Sequence, residues 1–429
     1  MQTPIPKKKT LTNGLRYLYI PMKNTETVLA MVLVGTGADF ETKIESGLAH
    51  FLEHMCFKGT VKRPTAKDIA LEFDRIGADY NAFTGRAYTG YYARAHKKHG
   101  AKIIEMVSDI YLNSVFPEDE IKKEQGVVIQ EMNMYMDDPQ YRVQKLSSEL
   151  LYGDQPAGRD IIGTKETVSS FNRDNLLKYH SGQYTAKNTV VIVAGNIAEK
   201  SADTDIQKLF GTLKSGKKNQ FQKTSVSQNQ PQVSIQYKET DQTHLVLSFR
   251  GFDFRDKRVQ AGKSLIAALS GGMSSRLYHK MREELGICYY VYANLNTGFD
   301  TGELTVSAGV SNDRVGEAIQ GIVEELVKIK KEGVTEHEME KVREYRLSGL
   351  VLHLETVEDY ANFFGREEVV KGKFSLPKTR ADEISSITSK QVHMVAKDLI
   401  QAQKANLAIV GPFREKDKPQ FVEYLKKIR

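Results

Sequence analysis

Two periodicities alternate along the chain. Short apolar runs bounded by Gly, Asn or Pro carry the pattern of strands. They include Thr27–Val34, 189–196 (TVVIVAGN), 244–254 (HLVLSFRGFDF) and 406–412 (NLAIVGP), and 11–20 with its Asn13-Gly14 turn reads as a first hairpin element. Between them lie longer stretches with apolar residues three and four apart, the mark of amphipathic helices. The strand patterns also repeat. Residues 28–40 (VLAMVLVGTGADF) and 244–254 both run into Gly and then Asp-Phe, with Gly35 and Gly251 separated by 216. Gly195 and Gly411, each closing a later apolar strand, are again 216 apart. Two anchors at one separation predict a duplicated domain. Residues 214–232 (KSGKKNQFQKTSVSQNQPQ) are polar and nearly devoid of apolar side chains, the composition of a linker. The expected organisation is a first domain over 1–214, a linker over 215–232 and a second domain over 233–429. Strands followed by helices and closed by a strand in each half predict an α+β fold, two homologous α/β sandwich domains with mostly antiparallel sheets backed by helices.

Composition narrows the class. With 429 residues the chain exceeds one comfortable core, and 40% hydrophobic and 27% charged residues are ordinary for a soluble globular protein. No apolar run reaches the 18 or so residues of a membrane helix, and residues 1–9 carry charge without the apolar stretch of a secretory signal, so no membrane partner is expected. Two cysteines cannot build a disulfide framework, which favours a reducing, cytoplasmic setting. The net charge of +7 is dispersed apart from runs at 7–9 and 214–218, and no finger spacing or base-stacking motif accompanies it. Nucleic acid is therefore not expected as a partner.

The chemistry concentrates at 47–57 (GLAHFLEHMCF). Leu48, Phe51, Leu52 and Met55 form one apolar helix face, and His50, Glu53 and His54 fall on the other at i, i+3 and i+4. Two histidines one turn apart can aim ring nitrogens at one ion, and a glutamate between them sits where a base for bound water is needed. A hydrolytic zinc site wants a third protein donor and an open position. Residues 117–139 (PEDEIKKEQGVVIQEMNMYMDDP) read as a helix with an acidic start, on which Glu124 and Glu131, seven apart, share a face. Either carboxylate could complete a His2Glu set, with the other behind it.

The inverted motif His50-Phe51-Leu52-Glu53-His54, followed by Met55-Cys56-Phe57-Lys58-Gly59-Thr60, resembles that of the insulinase/pitrilysin metallopeptidases, especially their processing-peptidase branch. In that family the third zinc ligand is a Glu after 76 intervening residues. Counted from His54, that position is Glu131, and the family's supporting catalytic Glu seven residues earlier matches Glu124. The resemblance thus implies Zn2+ held by His50, His54 and Glu131, with Glu53 as general base. Residues 76–84 (IGADYNAFT) resemble the family's substrate-binding edge strand, which makes Asn81 and Ala82 candidate substrate contacts. Residues 273–290 (MSSRLYHKMREELGICYY) resemble its Arg/Tyr element, with Arg282 and Tyr289 as the substrate-contacting pair. The second half contains no His-x-x-Glu-His and would be the inactive copy. Two positions depart from the family pattern: Gln130 stands where many relatives have a second Glu, and Cys56 follows the metal helix. The resemblance further implies a zinc metalloendopeptidase acting on short or unfolded polypeptides inside a chamber of two clamshell halves. Each half is one such chain, in a homodimer or a heterodimer with an inactive relative.

Overall fold

The computed structural model describes residues 3–217 and 220–428; residues 218 and 219 of the expected linker lie outside the described residues, as do residues 1, 2 and 429 at the ends of the expected domains. Two sheets are formed. The first contains β1 (Lys7–Thr10), β2 (Arg16–Pro21), β3 (Thr27–Val34), β4 (Asp79–Thr84), β5 (Thr89–His96) and β6 (Thr189–Gly195), in the order β1-β2-β6-β3-β5-β4. The second contains β7 (Gln232–Tyr237), β8 (Gln242–Arg250), β9 (Cys288–Thr297), β10 (Gly302–Ser311) and β11 (Ala405–Gly411), in the order β7-β11-β8-β10-β9. With β1 set aside, the two orders coincide. So do the directions: β2 with β6 and β7 with β11 are parallel, and every other pairing is antiparallel.

Central strands β3, β6, β8 and β11 are buried along almost their whole length. Helices cover both faces of each sheet, which is why these strands read as continuous apolar runs and not as alternation. The helices that matter for the site are α1 (Leu48–Met55), α2 (Ala66–Arg75), α3 (Gly100–Leu112), α4 (Glu118–Asp137) and α5 (Pro139–Tyr152). On the first sheet, α3 packs against β3 and β5, and the helix Val357–Lys371 covers the opposite face through Val357, Ala361 and Phe364. On the second, helices Val259–Ser270, Val315–Glu332 and Ser389–Leu399 share the main core with Leu245, Leu247 and Ile409. Its other face receives α5, whose Val143 meets Val246, Ala408 and Val410.

The chain divides into two compact units, Met1–Met132 with Asp160–Gln222 and Val351–Pro377, and Asn133–Arg159 with Lys223–Leu350 and Lys378–Arg429. Strands β1–β6 lie in the first unit and β7–β11 in the second, with β7 starting at Gln232, the last residue of the expected linker. Two helices cross over: α5 precedes the linker yet belongs to the second unit, and Val357–Lys371 follows it yet belongs to the first. An apolar stripe says that a helix will be covered, not which sheet will cover it.

The basic run at 7–9 is β1 itself. Lys7 and Lys9 pair with Glu199, Lys9 also with Asp203, and Lys8 with the fully buried Glu368. Among the described residues no helix is long and apolar enough to cross a membrane.

Candidate metal centre

The site is assembled on a short segment after β3. At Gly37 a Cβ would lie 2.1 Å from the Gly85 carbonyl oxygen, so a side chain is excluded where this segment crosses the β4–β5 hairpin. Ala38 and Asp39 N–H donate to the carbonyls of Gly85 and Arg86 at 3.3 and 2.9 Å, which fixes the hairpin to the segment. Two residues on, the buried Glu41 accepts the N–H groups of Gly47 and Ala49 at 2.8 and 2.7 Å. A carboxylate there satisfies two unpaired donors at the start of α1 and complements the helix dipole. Gly47 takes φ +92°, and a Cβ on it would come within 2.6 Å of the Ile162 carbonyl oxygen. One segment therefore sets the position of both α1 and β4.

Within α1, Leu48, Phe51, Leu52 and Met55 are buried, and His50, Glu53 and His54 project from the opposite side. The partner helix α4 begins after Phe116, whose left-handed φ of +49° is held by a ring with no exposure. Glu118, Asp119 and Glu120 occupy its first turn, favourable at the positive end of the dipole. Ile121, Glu124, Val128 and Met132 face inward, with Glu131 on the margin of that face.

The two helices bring His50, His54 and Glu131 to one point, with a donor atom from each within 4.8 Å of the others. His50 Nε2 lies 3.8 Å from Glu131 Oε1, and His54 Nε2 lies 3.5 Å from Glu131 Oε2. Donors held about 2.0–2.2 Å from one tetrahedral zinc ion are about 3.4 Å apart, so this set needs only small side-chain adjustment to fit zinc. Behind it, His54 Nδ1 lies 2.8 Å from Glu124 Oε1, and Glu124 Oε2 receives Lys58 Nζ at 2.6 Å. Glu124 thus selects the tautomer that leaves Nε2 free to act as a ligand.

Electrostatics agree with these roles. Burial, helped by the neighbouring His54, lowers the pKa of His50 to about 3, so its imidazole is neutral and able to ligate at any physiological pH. Burial alone would raise Glu124, but the bonds from His54 and Lys58 outweigh it and keep the carboxylate ionised. Glu53 is raised, chiefly by burial and only partly offset by a hydrogen bond from Thr84, which suits a group that must take up a proton. Cys56 is fully buried and its thiol is pushed up to about 12 by that burial. It is therefore a protonated packing residue, in keeping with a small buried side chain after the metal helix.

Residues 16–165 match the family model described as Insulinase (Peptidase family M16), and 170–345 match Peptidase M16 inactive domain. The chain is 35% identical over 95% of its length, and 98% of the relative's, to a Bacillus subtilis protein named an uncharacterized zinc protease. A Rickettsia bellii protein of the same description is 34% identical over 94% of this chain and 96% of its own. The chain belongs to the insulinase family, peptidase family M16. Solved structures with its fold include a protease from Helicobacter pylori at TM-score 0.87 and 22% identity, covering 95% of this chain and 99% of that one. A peptidase M16 inactive domain from Pseudomonas fluorescens also gives 0.87, at 16% identity, covering 95% and 98%.

The other M16 candidate residues fall in two places. Asn81 and Ala82 lie on β4, the outermost strand of the first sheet. The Asn81 Oδ1 accepts Ala82 N–H at 2.8 Å, so a side chain occupies a main-chain donor of this edge. Arg282 and Tyr289 belong to the second unit and are joined to each other, Arg282 Nη1 donating to the Tyr289 carbonyl at 3.0 Å. Arg282 sits in a π-helical turn, His279–Glu284, a distortion frequent at functional sites, and Tyr289 is 58% exposed. Sequence reasoning assigned no role to Glu41, Lys58 or Thr84, which bond to α1, Glu124 and Glu53 respectively. Lys58, four residues past His54, could have been found as a cation able to meet Glu124; Thr84 closes the segment 76–84 singled out by resemblance, and nothing local marks Glu41.

Proposed function

We propose that the protein is a zinc-dependent endopeptidase that hydrolyses short or unfolded polypeptides. The observation that carries this reading is the convergence of His50, His54 and Glu131 on one point, with Glu53 beside it and Glu124 behind it. Three protein donors are the number for a hydrolytic zinc site, and the relatives named zinc proteases agree. Zinc held there supplies a Lewis acid that acidifies water and polarises a peptide carbonyl. Glu53 takes the proton from the attacking water and returns it to the leaving amine. Glu124 keeps His54 in its ligating tautomer. A peptide adds to the free edge of β4, its main chain replacing the contact that Asn81 makes to Ala82 N–H, which makes binding tolerant of sequence. Arg282 and Tyr289 hold the substrate backbone from the opposite half of a dimer, so that two chains enclose one chamber, either as a homodimer or with an inactive relative. Two free cysteines suit a reducing, cytoplasmic setting.

The test is Glu53→Gln. It should retain stoichiometric zinc by metal analysis while cleavage of unfolded polypeptides drops by about 100- to 10,000-fold, the usual contribution of a general base, because the isosteric amide cannot accept a proton. Equal, chelator-insensitive inertness of wild type and variant would rule out the peptidase reading.

A further inference from the structure

The base and the strand on which substrate would lie are joined by a hydrogen bond. Thr84, the last residue of β4, donates its Oγ1 to Glu53 Oε2 at 2.5 Å. Its main chain is fixed from both sides. Across the hairpin it pairs with Thr89, whose own hydroxyl donates to the Thr36 carbonyl at 3.0 Å. The next residue, Gly85, accepts the Ala38 N–H described above. Glu53, by contrast, sits on the metal-facing side of α1 with three rotatable side-chain bonds, and a carboxylate without a partner would spread over several rotamers. A β-branched side chain suits the end of a strand, but Val would serve that purpose equally; the hydroxyl is the informative atom.

We propose that Thr84 is a positioning residue for the general base, and that through it the occupancy of β4 is coupled to the aim of Glu53. The hydroxyl holds Oε2, which leaves Oε1 for the water-derived proton. A peptide that adds to β4 stiffens the strand end from which Thr84 reaches, so the base is set when substrate is seated. This role rests on the endopeptidase reading and adds a residue to it.

The experiment compares Thr84→Val, which keeps shape and removes the donor, with Thr84→Ser, which keeps the donor. The probe is the full chain loaded with zinc and an internally quenched peptide that the wild type cleaves. Thr84→Val should lower kcat 10- to 100-fold, with KM within twofold and zinc content unchanged, and Thr84→Ser should stay within threefold of wild type. A second measurement uses the metal-free chain: Thr84→Val should lower Tm when Glu53 is present and not in a Glu53→Ala background. Wild-type kcat in Thr84→Val, equal impairment in Thr84→Ser, or the same Tm change in both backgrounds overturns the proposal. An active wild type with an unaffected Thr84→Val defeats the Thr84 role alone, whereas a zinc-loaded wild type that cleaves nothing defeats the peptidase reading and the role with it.

Discussion

At the scale of single residues, similar side chains are driven to different states by what surrounds them. The Nδ1 atom of the half-buried His50 is shut off from solvent without a hydrogen-bond partner, and desolvation holds the ring neutral. His54, one turn on, is also penalised by burial, but the hydrogen bond to Glu124 and the nearby Glu53 and Glu131 carboxylates together outweigh the penalty and raise its pKa. Carboxylates diverge in the same way. Glu53 is raised by burial, while Glu105 on α3 is opposed by burial yet lowered to about 2 by Arg63 and Lys62. Arg63, 4% exposed, also reaches Glu72 on α2 and Asp109, and so anchors the loop between α1 and α2. Because the folded pKa of Glu105 lies below its unfolded value, its contribution is present above pH ~4.3 and is lost as pH falls towards 2. Glu105→Gln is therefore expected to lower unfolding free energy by roughly 2–3 kcal/mol at pH 7. Denaturant titrations at pH 7 and pH 2.5 should show that difference shrinking markedly in acid; a pH-independent difference would count against this assignment.

Elements are placed by backbone approach as much as by apolar burial. Gly47 and Gly163 face each other, the second with φ +81° and a virtual Cβ 2.3 Å from the Ser46 carbonyl oxygen. Gly47→Ala meets both a left-handed φ and a backbone oxygen. We expect a loss of about 1–3 kcal/mol, seen as a lower Tm, and weaker zinc binding because the start of α1 must shift. Unchanged zinc affinity would show that α1 is positioned without this contact. The outer strands show a second device: Phe83 of β4 lies over Gly90 of β5, and Tyr290 of β9 over Gly309 of β10. In each sheet an aromatic ring fills the space left by a cross-strand glycine. The repeat separation also shifts between elements. Ala194 and Val410 occupy equivalent faces 216 apart, whereas the equivalent faces of β3 and β8 require an odd separation, 215 from Met31 to Val246. Since side chains alternate, a one-residue slip would have turned β8 inside out; face, not the glycine that ends each strand pattern, keeps the true register.

For the whole molecule, the metal donors and the Arg282–Tyr289 pair belong to different compact units of the chain. On the proposed function, the pair that serves one metal centre comes from a second copy. Light scattering is expected to give about twice the chain mass of 48.4 kDa, with specific activity falling on dilution below the dissociation constant. Full activity from a particle of single-chain mass would exclude the shared chamber. Mixing Glu53→Gln with Arg282→Ala chains provides the complementary measurement: partial recovery of cleavage over either variant alone is expected only if the two residues act across the interface.

The local features were readable without coordinates. A helix face is set by a spacing of three and four residues, so His50, Glu53 and His54 could be placed opposite Leu48, Phe51, Leu52 and Met55. Gly, Asn and apolar runs likewise marked the strands. The separation between His54 and Glu131 was legible only through family resemblance, because periodicity left Glu124 and Glu131 equivalent. Tertiary structure separates them by contact, setting Glu131 against the Nε2 atoms of both histidines and Glu124 behind His54 with Lys58. It alone decided that α5 and Val357–Lys371 cover the sheet of the other half, and that Glu41 bonds to the start of α1 and Thr84 to Glu53. Sequence encodes periodicities, which are local; which surfaces meet depends on packing between segments far apart in the chain, and that is settled only when the whole core forms.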